Sequence, residues 1–239
     1  MLESRDAAKR EAPWMAGLHA ARANLLPGLI LQGIMLGLLI AYYFYPPTTR
    51  WLNLLAALKG EWGYAYSAIA SVIAGALIPE TMRVLVLQKG RALRANAANL
   101  VFTIPFWCMM GLIVDAFYRG QALVFGAQPS FRVVAAKALV DQLLYAPFVS
   151  VPLTCWLYDW KNSGYRLHGL RRFFSAAYCR DVMVPVLFAN WSVWIPVVCI
   201  LYSLPSLLQI PLFALAVSLW VIIYTWISEQ RTPARSPLP

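Results

Sequence analysis

The sequence predicts an all-α protein, a polytopic transmembrane helix bundle with four to six kinked spans. Hydrophobic residues make up 61% of the 239 residues and charged residues only 13%, which excludes an ordinary water-soluble domain. Six apolar stretches of about 20 residues recur along the chain, and a helix of that length spans the hydrocarbon core of a bilayer. The stretches lack the apolar–polar alternation of a transmembrane barrel. Helices are therefore expected, because they satisfy their own backbone groups in lipid.

The six stretches share this length and an almost uncharged middle. They are Leu25–Tyr45, Tyr64–Leu87, Ala97–Tyr118, Ala138–Tyr158, Val182–Tyr202 and Ser206–Ile227. Only the tripeptide 203–205 separates the last two, which are therefore either a tight hairpin or one broken unit. We expect a single transmembrane domain over residues 25–227, preceded by a basic arm (1–24) and followed by a short polar tail (228–239). The arm is too long before its apolar core for a secretory signal, and that core is long enough to span.

The net charge of +10 is expected to orient the spans, not to bind nucleic acid. Of the 20 Lys and Arg residues, 14 lie in the arm, the 88–96 and 161–181 loops and the tail, and five lie in the opposite connections, 46–62, 119–137 and 203–205. This distribution predicts both termini on the cytoplasmic or matrix-like side. The basic, aromatic 161–181 loop is either a surface helix on anionic lipid headgroups or an ordinary orientation signal.

Three acids in the apolar stretches each have a cation three or four residues away, on the same helical face. The pairs are Glu80 with Arg83, Asp115 with Arg119, and Asp141 with Lys137. Charge at membrane depth is costly and usually faces a bundle interior, a partner or water. Because Glu80 and Asp115 lie near span ends, mutual neutralisation explains their pairs most simply.

Asp141 lies deeper in its span and is followed by Gln142 and further apolar turns. It is the best candidate for a carboxylate that either lines a pore or ties helices together. Lys137 and Gln142 are expected to act with it, and Glu80, Arg83 and Asn190 are further candidates for the same two roles.

Small residues and prolines predict how the spans pack. Gly33 and Gly37 form a GxxxG pattern, and Ser67, Ser71 and Gly75 form a ladder of small residues. Both patterns favour close helix packing within the chain, with a homodimer face as the alternative. Seven prolines inside the spans predict kinks that suit either a pore or simple curvature. They are Pro79, Pro105, Pro147, Pro152, Pro185, Pro196 and Pro211.

Catalytic and metal-binding patterns are missing from the sequence. The two histidines, His19 and His168, are far apart, and the four cysteines form no CxxC pair. No triad order, HExxH, P-loop or dinucleotide fingerprint occurs. We therefore expect no enzymatic activity, no cofactor and no metal.

One motif is similar to that of a known family. The segment from Lys137 to Pro147 contains K-x3-DQ-x4-P, built on Asp141 and Gln142. It resembles the hallmark of the Mpv-seventeen/peroxisomal-membrane-protein-twenty-two family of integral membrane proteins. The resemblance covers about residues 51–231 and is strongest over 137–226.

A second block, in the C-terminal part, resembles the same family. Asn190-x3-Trp194 is similar to its N-x3-W-P element, although Ile195 separates Trp194 from the proline here. Pro205, Trp220 and Trp226 follow at family-like spacing. In the family such residues are structural, and the tryptophans of this chain also suit anchors at the membrane interface.

The resemblance implies a small multi-pass protein of the mitochondrial inner membrane or the peroxisomal membrane in a eukaryote, or of the plasma membrane in a bacterium. It also implies channel-like passage of small solutes and brings no catalytic site. Together with the embedded acids, it favours a channel or facilitator for small polar or anionic solutes. The alternative is a structural or lipid-interacting scaffold without a transport pathway. Membrane lipids and small solutes are the expected partners, and a second copy of the chain is a further candidate.

Overall fold

A computed structural model of the chain describes residues 13–166 and 170–231. Every regular element among these residues is helical, which confirms the predicted all-α class. Six helical stretches are long and apolar enough to cross a membrane. The protein is therefore an integral, multi-pass membrane protein. The first twelve residues of the predicted basic arm, the last eight residues of the predicted tail and His168 lie outside the described residues.

Twelve α-helices and four π-helical segments follow one another along the described residues. The α-helices are α1 Pro13–Ala23, α2 Leu25–Phe44, α3 Pro46–Trp62, α4 Tyr64–Val72, α5 Ile78–Met82, α6 Arg94–Phe125, α7 Phe131–Val140, α8 Val151–Asn162, α9 Leu170–Phe173, α10 Ala176–Tyr178, α11 Val184–Tyr202 and α12 Ser206–Arg231. The π-helical segments are π1 Ile73–Leu77, π2 Arg83–Leu87, π3 Asp141–Ser150 and π4 Cys179–Met183.

The number of candidate spans is at the upper end of the predicted range. The spans are Leu25–Phe44, Tyr64–Leu87, Arg94–Phe125, Phe131–Asn162, Ala176–Tyr202 and Ser206–Thr225. The middle spans extend beyond their predicted ends by three to seven residues, because polar residues continue the helices past the apolar cores. A turn between Tyr202 and Ser206 separates the last two helices, so the sequence there forms two spans instead of one broken unit.

Three of the π-helical segments occur where a proline disturbs the helix. Pro79 follows π1, Pro147 lies within π3, and Pro185 follows π4. A proline lacks the N–H and its ring clashes with the carbonyl four residues earlier. In all three cases that carbonyl belongs to the π-helical segment, where the wider turn makes room for the ring.

The chain forms two compact units. One comprises the residues up to Leu26 together with Leu139–Ile195, and the other comprises Pro27–Ala138 together with the residues from Pro196 onward. In the first unit, Val151, Cys155 and Tyr178 form a buried cluster covered by further aromatic and aliphatic side chains.

In the second unit, α4 packs along α6, and α3 and α5 pack against α12. Leucine is the commonest of its large, fully buried side chains, and Leu31, Leu201, Leu208 and Leu212 are examples. The unit also buries a set of charged and amide side chains, which form the candidate sites described below.

The ladder of small residues in the second span packs within the chain, as predicted. Ser67 and Ser71 are buried, and a Cβ built on Gly111 of α6 would lie 2.5 Å from both the carbonyl oxygen of Ser67 and Oγ of Ser71. Only a glycine therefore lets α6 approach α4 so closely. The GxxxG pattern differs, because Gly33 and Gly37 are exposed and have nothing within 4 Å of a built Cβ. Close packing of Gly33 and Gly37 within the chain was the wrong prediction, and a dimer face stays a prediction.

The 46–62 segment, predicted only as a connection between two spans, is itself a helix, α3. Two prolines occupy its first turn, where their missing N–H groups have no helical partner to lose. The helix ends at Gly63, whose φ of +54° is a left-handed conformation that side chains rarely adopt. The next span begins at once with Tyr64.

Candidate functional site

Asp115 is the centre of the most connected polar cluster in the second unit. Its Oδ2 accepts hydrogen bonds from Nζ of Lys59 at 2.6 Å and from Oγ of Ser67 at 2.7 Å. Its Oδ1 accepts one from Nε of Arg119 at 3.0 Å. Asp115 and Lys59 are almost completely buried, whereas about half of the Arg119 side chain is exposed. The cluster thus ties α3, α4 and α6 together around one carboxylate.

Lys59 is held by an ion pair and by a hydrogen bond to the backbone. Besides Asp115, its ammonium donates a hydrogen bond to the carbonyl of Gly63 at 2.8 Å. Burial lowers the pKa of Lys59, and the hydrogen bond to Asp115 opposes that shift. Buried ions are retained when they are paired and hydrogen-bonded, and both conditions are met here.

The predicted pairing of Asp115 with Arg119 is confirmed, but it is the smaller part of the cluster. Sequence reasoning missed Lys59 because it lies 56 residues away, in a segment interpreted as a connection. A signal was present: Leu52 and Lys59 are seven residues apart and share a helical face, and both are buried. Helical periodicity in that segment would have placed the lysine on the protein-facing side.

Glu80 forms a second cluster, in which its partners are amides. The side-chain amide of Asn96 donates to its Oε1 at 2.5 Å, and that of Asn99 donates to its Oε2. Oδ1 of Asn96 in turn accepts the backbone N–H of Leu93, which caps α6. Among the described residues Glu80 forms no ion pair with Arg83, whose side chain is exposed, so the predicted pair was wrong.

Replacing Glu80 with glutamine is expected to lower the free energy of unfolding by about 1–3 kcal/mol, because the new amide would direct N–H groups at another donor. Thermal unfolding of the detergent-purified protein measures the change. Arg83→Gln is the matched control and is expected to have almost no effect. Equal losses in the two variants would instead support the ion pair that the sequence suggested.

Asp141 and Gln142 form a buried pair at the start of π3, in the first unit. Nε2 of Gln142 donates to Oδ1 of Asp141 at 2.9 Å, and both residues are about 5% exposed. The backbone carbonyl of Gln142 accepts from Nε1 of Trp191 at 2.8 Å, which joins π3 to α11. Oε1 of Gln142 is buried and accepts no hydrogen bond from the described residues. An acceptor in that state suits a water or a solute that donates a hydrogen bond.

Lys137 belongs to the second unit and is only 1% exposed. Its backbone carbonyl accepts a hydrogen bond from Nε2 of Gln121, and its ammonium lies 5.9 Å from the ring centroid of Tyr202. Within the described part of that unit, no carboxylate pairs with the ammonium. Since Lys137 and Asp141 fall in different units, their predicted pairing stays a prediction.

The remaining predicted residues are less buried. The structure places Asn190 and Trp194 half-buried on α11, Pro147 half-buried within π3, Pro205 in the turn before α12, and Trp220 half-buried on α12. Trp226 lies in α12, but its side chain is outside what the structure describes. The hydrogen bond to the carbonyl of Gln142 comes from Trp191, the neighbour of Asn190, and was not predicted from the sequence.

A cavity of about 470 Å³ lies where α2 turns into α3. Its lining combines aromatic side chains with one cation: Tyr43, Phe44, Pro46, Thr49, Arg50 and Asn53. None of the buried acids contributes to it. The cavity is therefore separate from the two carboxylates predicted as candidates, Asp141 and Glu80.

The fold and these clusters define the class of the protein as a multi-pass helical membrane protein with charged side chains buried in and beside its spans. No family model matches the chain, and comparisons with curated proteins and with solved structures find no match. The resemblance to the Mpv-seventeen/peroxisomal-membrane-protein-twenty-two family therefore stays a prediction that rests on the motif residues.

Proposed function

We propose that the protein is a channel or facilitator for small polar or anionic solutes. The observation that carries the proposal is the burial of charged side chains of both signs in one span, Phe131–Asn162. Lys137 is 1% exposed and Asp141 is 5% exposed. Ionisable side chains at membrane depth usually mark a pathway, a relay or a partner site.

The amide beside Asp141 supports a polar pathway there. Gln142 presents a buried acceptor without a hydrogen bond from the described residues. A buried unsatisfied acceptor costs about 1–3 kcal/mol, so this oxygen is expected to gain a hydrogen-bond donor. A passing solute or a water would satisfy it in the working protein.

The backbone at this position also supports the proposal. Asp141 and Gln142 begin π3, whose ten residues form the longest π-helical segment described. Single π-turns in α-helices frequently occur at functional sites. Irregular backbone at membrane depth is tolerated where it is buried in protein or lines a cavity.

Charge favours anions as the solute. The chain carries a net charge of +10, and most of its cations lie in the segments that connect or flank the spans. A basic entrance raises the local concentration of anions, and added salt screens the effect. The resemblance to the Mpv-seventeen/peroxisomal-membrane-protein-twenty-two family adds the proposal that this chain is a divergent member, placed in an organelle or bacterial plasma membrane.

Currents through planar bilayers containing the purified protein test this function, with wild type compared with Asp141→Asn. We expect discrete single-channel currents in wild type. Removing the negative charge should raise the preference for anions about fivefold, equal to ~1 kcal/mol of charge interaction. The reversal potential under a salt gradient measures that preference, and thermal unfolding in detergent should be nearly unchanged.

Glu61→Gln is the matched control, because Glu61 is an exposed acid in α3, outside the candidate spans. It should leave the reversal potential unchanged. Silence from folded wild-type protein across several lipids and voltages would overturn the channel and leave a scaffold or a slow carrier. Currents whose selectivity is the same in wild type and Asp141→Asn would remove Asp141 from the pathway.

The alternative function is a structural or lipid-interacting scaffold, which a different observation favours. Both carboxylate oxygens of Asp115, and both of Glu80, accept hydrogen bonds from side chains. The donors lie on other helices, except Arg119, which lies one turn from Asp115 on α6. Such buried, satisfied acids tie helices without needing a solute. A scaffold predicts lost stability on substituting Asp141 and no current from any folded variant.

A further inference from the structure

Helix α3 has a position in the chain that fixes its depth. The span before it ends at Phe44 and the span after it begins at Tyr64, while α3 itself is not among the candidate spans. Both of its ends are therefore attached to span ends at one membrane surface. Its 17 residues extend about 25 Å, which is shorter than the hydrocarbon core.

One face of α3 packs on the protein. Leu52 and Lys59 are buried, and Leu55 and Ala56 on the same side are half-buried. The ion pair of Lys59 with Asp115 fixes this face to α6. With about 100° between successive residues, the rotation of the helix about its own axis is thereby set.

A second face is apolar and exposed. Trp51, Leu54, Leu58 and Trp62 follow at spacings of three, four and four residues, and together they span an arc of about 80°. All four side chains are large and well exposed, Trp51 by 70%. An exposed apolar stripe of this length marks a surface that contacts a partner or a membrane.

The third face is polar or small and lies beside that stripe around the helix, with the two faces centred about 110° apart. It consists of the exposed residues Arg50, Asn53, Ala57, Gly60 and Glu61. A helix with separate protein, apolar and polar faces suits the boundary between lipid and water, because each face then meets the medium it prefers.

We propose that α3 lies in the plane of the bilayer surface and inserts Trp51, Leu54, Leu58 and Trp62 into the boundary between headgroups and acyl chains. Its partner is the lipid bilayer, on the side opposite the basic loops. Tryptophans at both ends of the stripe favour lipid over a second copy of the chain, since tryptophan concentrates at membrane interfaces.

Aromatic residues beside α3 continue the same surface. Phe44 and Tyr45 precede the helix and Tyr64 follows it, and all three are exposed. An aromatic belt of this kind marks the headgroup level of a spanning protein. The exposed polar face carries one cation and one acid, Arg50 and Glu61, so apolar area and not net charge attaches α3 to lipid.

The test uses nitroxide spin labels on single cysteines in protein reconstituted into phosphatidylcholine vesicles, after the four native cysteines have been replaced with alanine. Leu54→Cys and Leu58→Cys label the apolar face, and Asn53→Cys and Ala57→Cys label the polar face. Oxygen, which dissolves in lipid, should increase the spin relaxation rate of the labels at 54 and 58 severalfold more than a water-soluble nickel chelate does. The nickel chelate should dominate at the second pair.

Two results would overturn the proposal. Equal access of the nickel chelate at all four sites would place α3 in water. Exclusion of both reagents at 54 and 58, with dipolar broadening between labels, would show that a second copy covers the stripe. A second measurement, on protein that keeps its native cysteines, covers the case in which the labelled variants misfold. There Leu54→Asp should lower the unfolding temperature in vesicles, while the neighbouring substitution Asn53→Asp should not.

Discussion

Asp115→Asn is expected to produce the largest loss of stability of any single substitution in the buried polar clusters, about 3–5 kcal/mol. The substitution leaves the Lys59 ammonium buried without a compensating charge and with neutral acceptors only, the carbonyl of Gly63 among them. It also removes the charge that receives hydrogen bonds from Ser67 and Arg119. Unfolding of the protein in mixed detergent micelles by added dodecyl sulfate measures the change.

Removing the other partner should cost less. In Lys59→Met, the buried carboxylate of Asp115 keeps Ser67 and Arg119 as donors, and the methionine retains much of the apolar stem of lysine. The double variant Lys59→Met with Asp115→Leu should recover most of the stability, since apolar replacement of a buried ion pair is often nearly neutral.

An exposed ion pair in the same chain provides the control. Nε of Arg180 lies 2.8 Å from Oδ1 of Asp181, and about half of each side chain is exposed. Asp181→Asn should change the free energy of unfolding by less than ~1 kcal/mol. A loss in Asp115→Asn no larger than that in Asp181→Asn would contradict the account of the Asp115 cluster as a tie between helices.

The second large effect is expected at Gly111, where α6 approaches α4. A single methyl group there would meet the carbonyl oxygen of Ser67, which is backbone and cannot move aside alone. Gly111→Ala should therefore lower the free energy of unfolding by about 1–3 kcal/mol through overpacking. The same unfolding assay measures it.

Gly37→Ala is the matched substitution in another span. A Cβ at Gly37 meets nothing within 4 Å, and alanine is the better helix former. This variant should be neutral or slightly stabilising, by up to ~1 kcal/mol. A loss at Gly37 as large as that at Gly111 would indicate that a partner copy packs on the exposed GxxxG face.

The apolar spans were predictable from sequence because length and hydropathy alone define them in lipid. Their ends were less predictable. Arg94 begins α6 and Asn162 ends α8, three and four residues beyond the predicted limits. Polar residues continue a helix into the headgroup region without any change of backbone, so hydropathy underestimates the length of these helices.

The partners of the buried acids were predictable only where the spacing along one helix determines the contact. Asp115 with Arg119 was predictable because helical spacing brings the two residues together. Lys59 was not, since its approach to Asp115 depends on how α3 packs. Glu80 shows the opposite error: Arg83 has the right spacing, but its side chain lies on an exposed face while two asparagines of α6 reach the carboxylate.

The ion pair between α3 and α6 also has a consequence for how the protein is made. Lys59 leaves the ribosome 56 residues before Asp115. During that interval the lysine has no carboxylate to bind, so α3 cannot yet dock with its charged side chain inward. We therefore expect α3 to acquire the partner of its buried charge only when the third span is inserted, and its packing surface on α12 only when the last span follows.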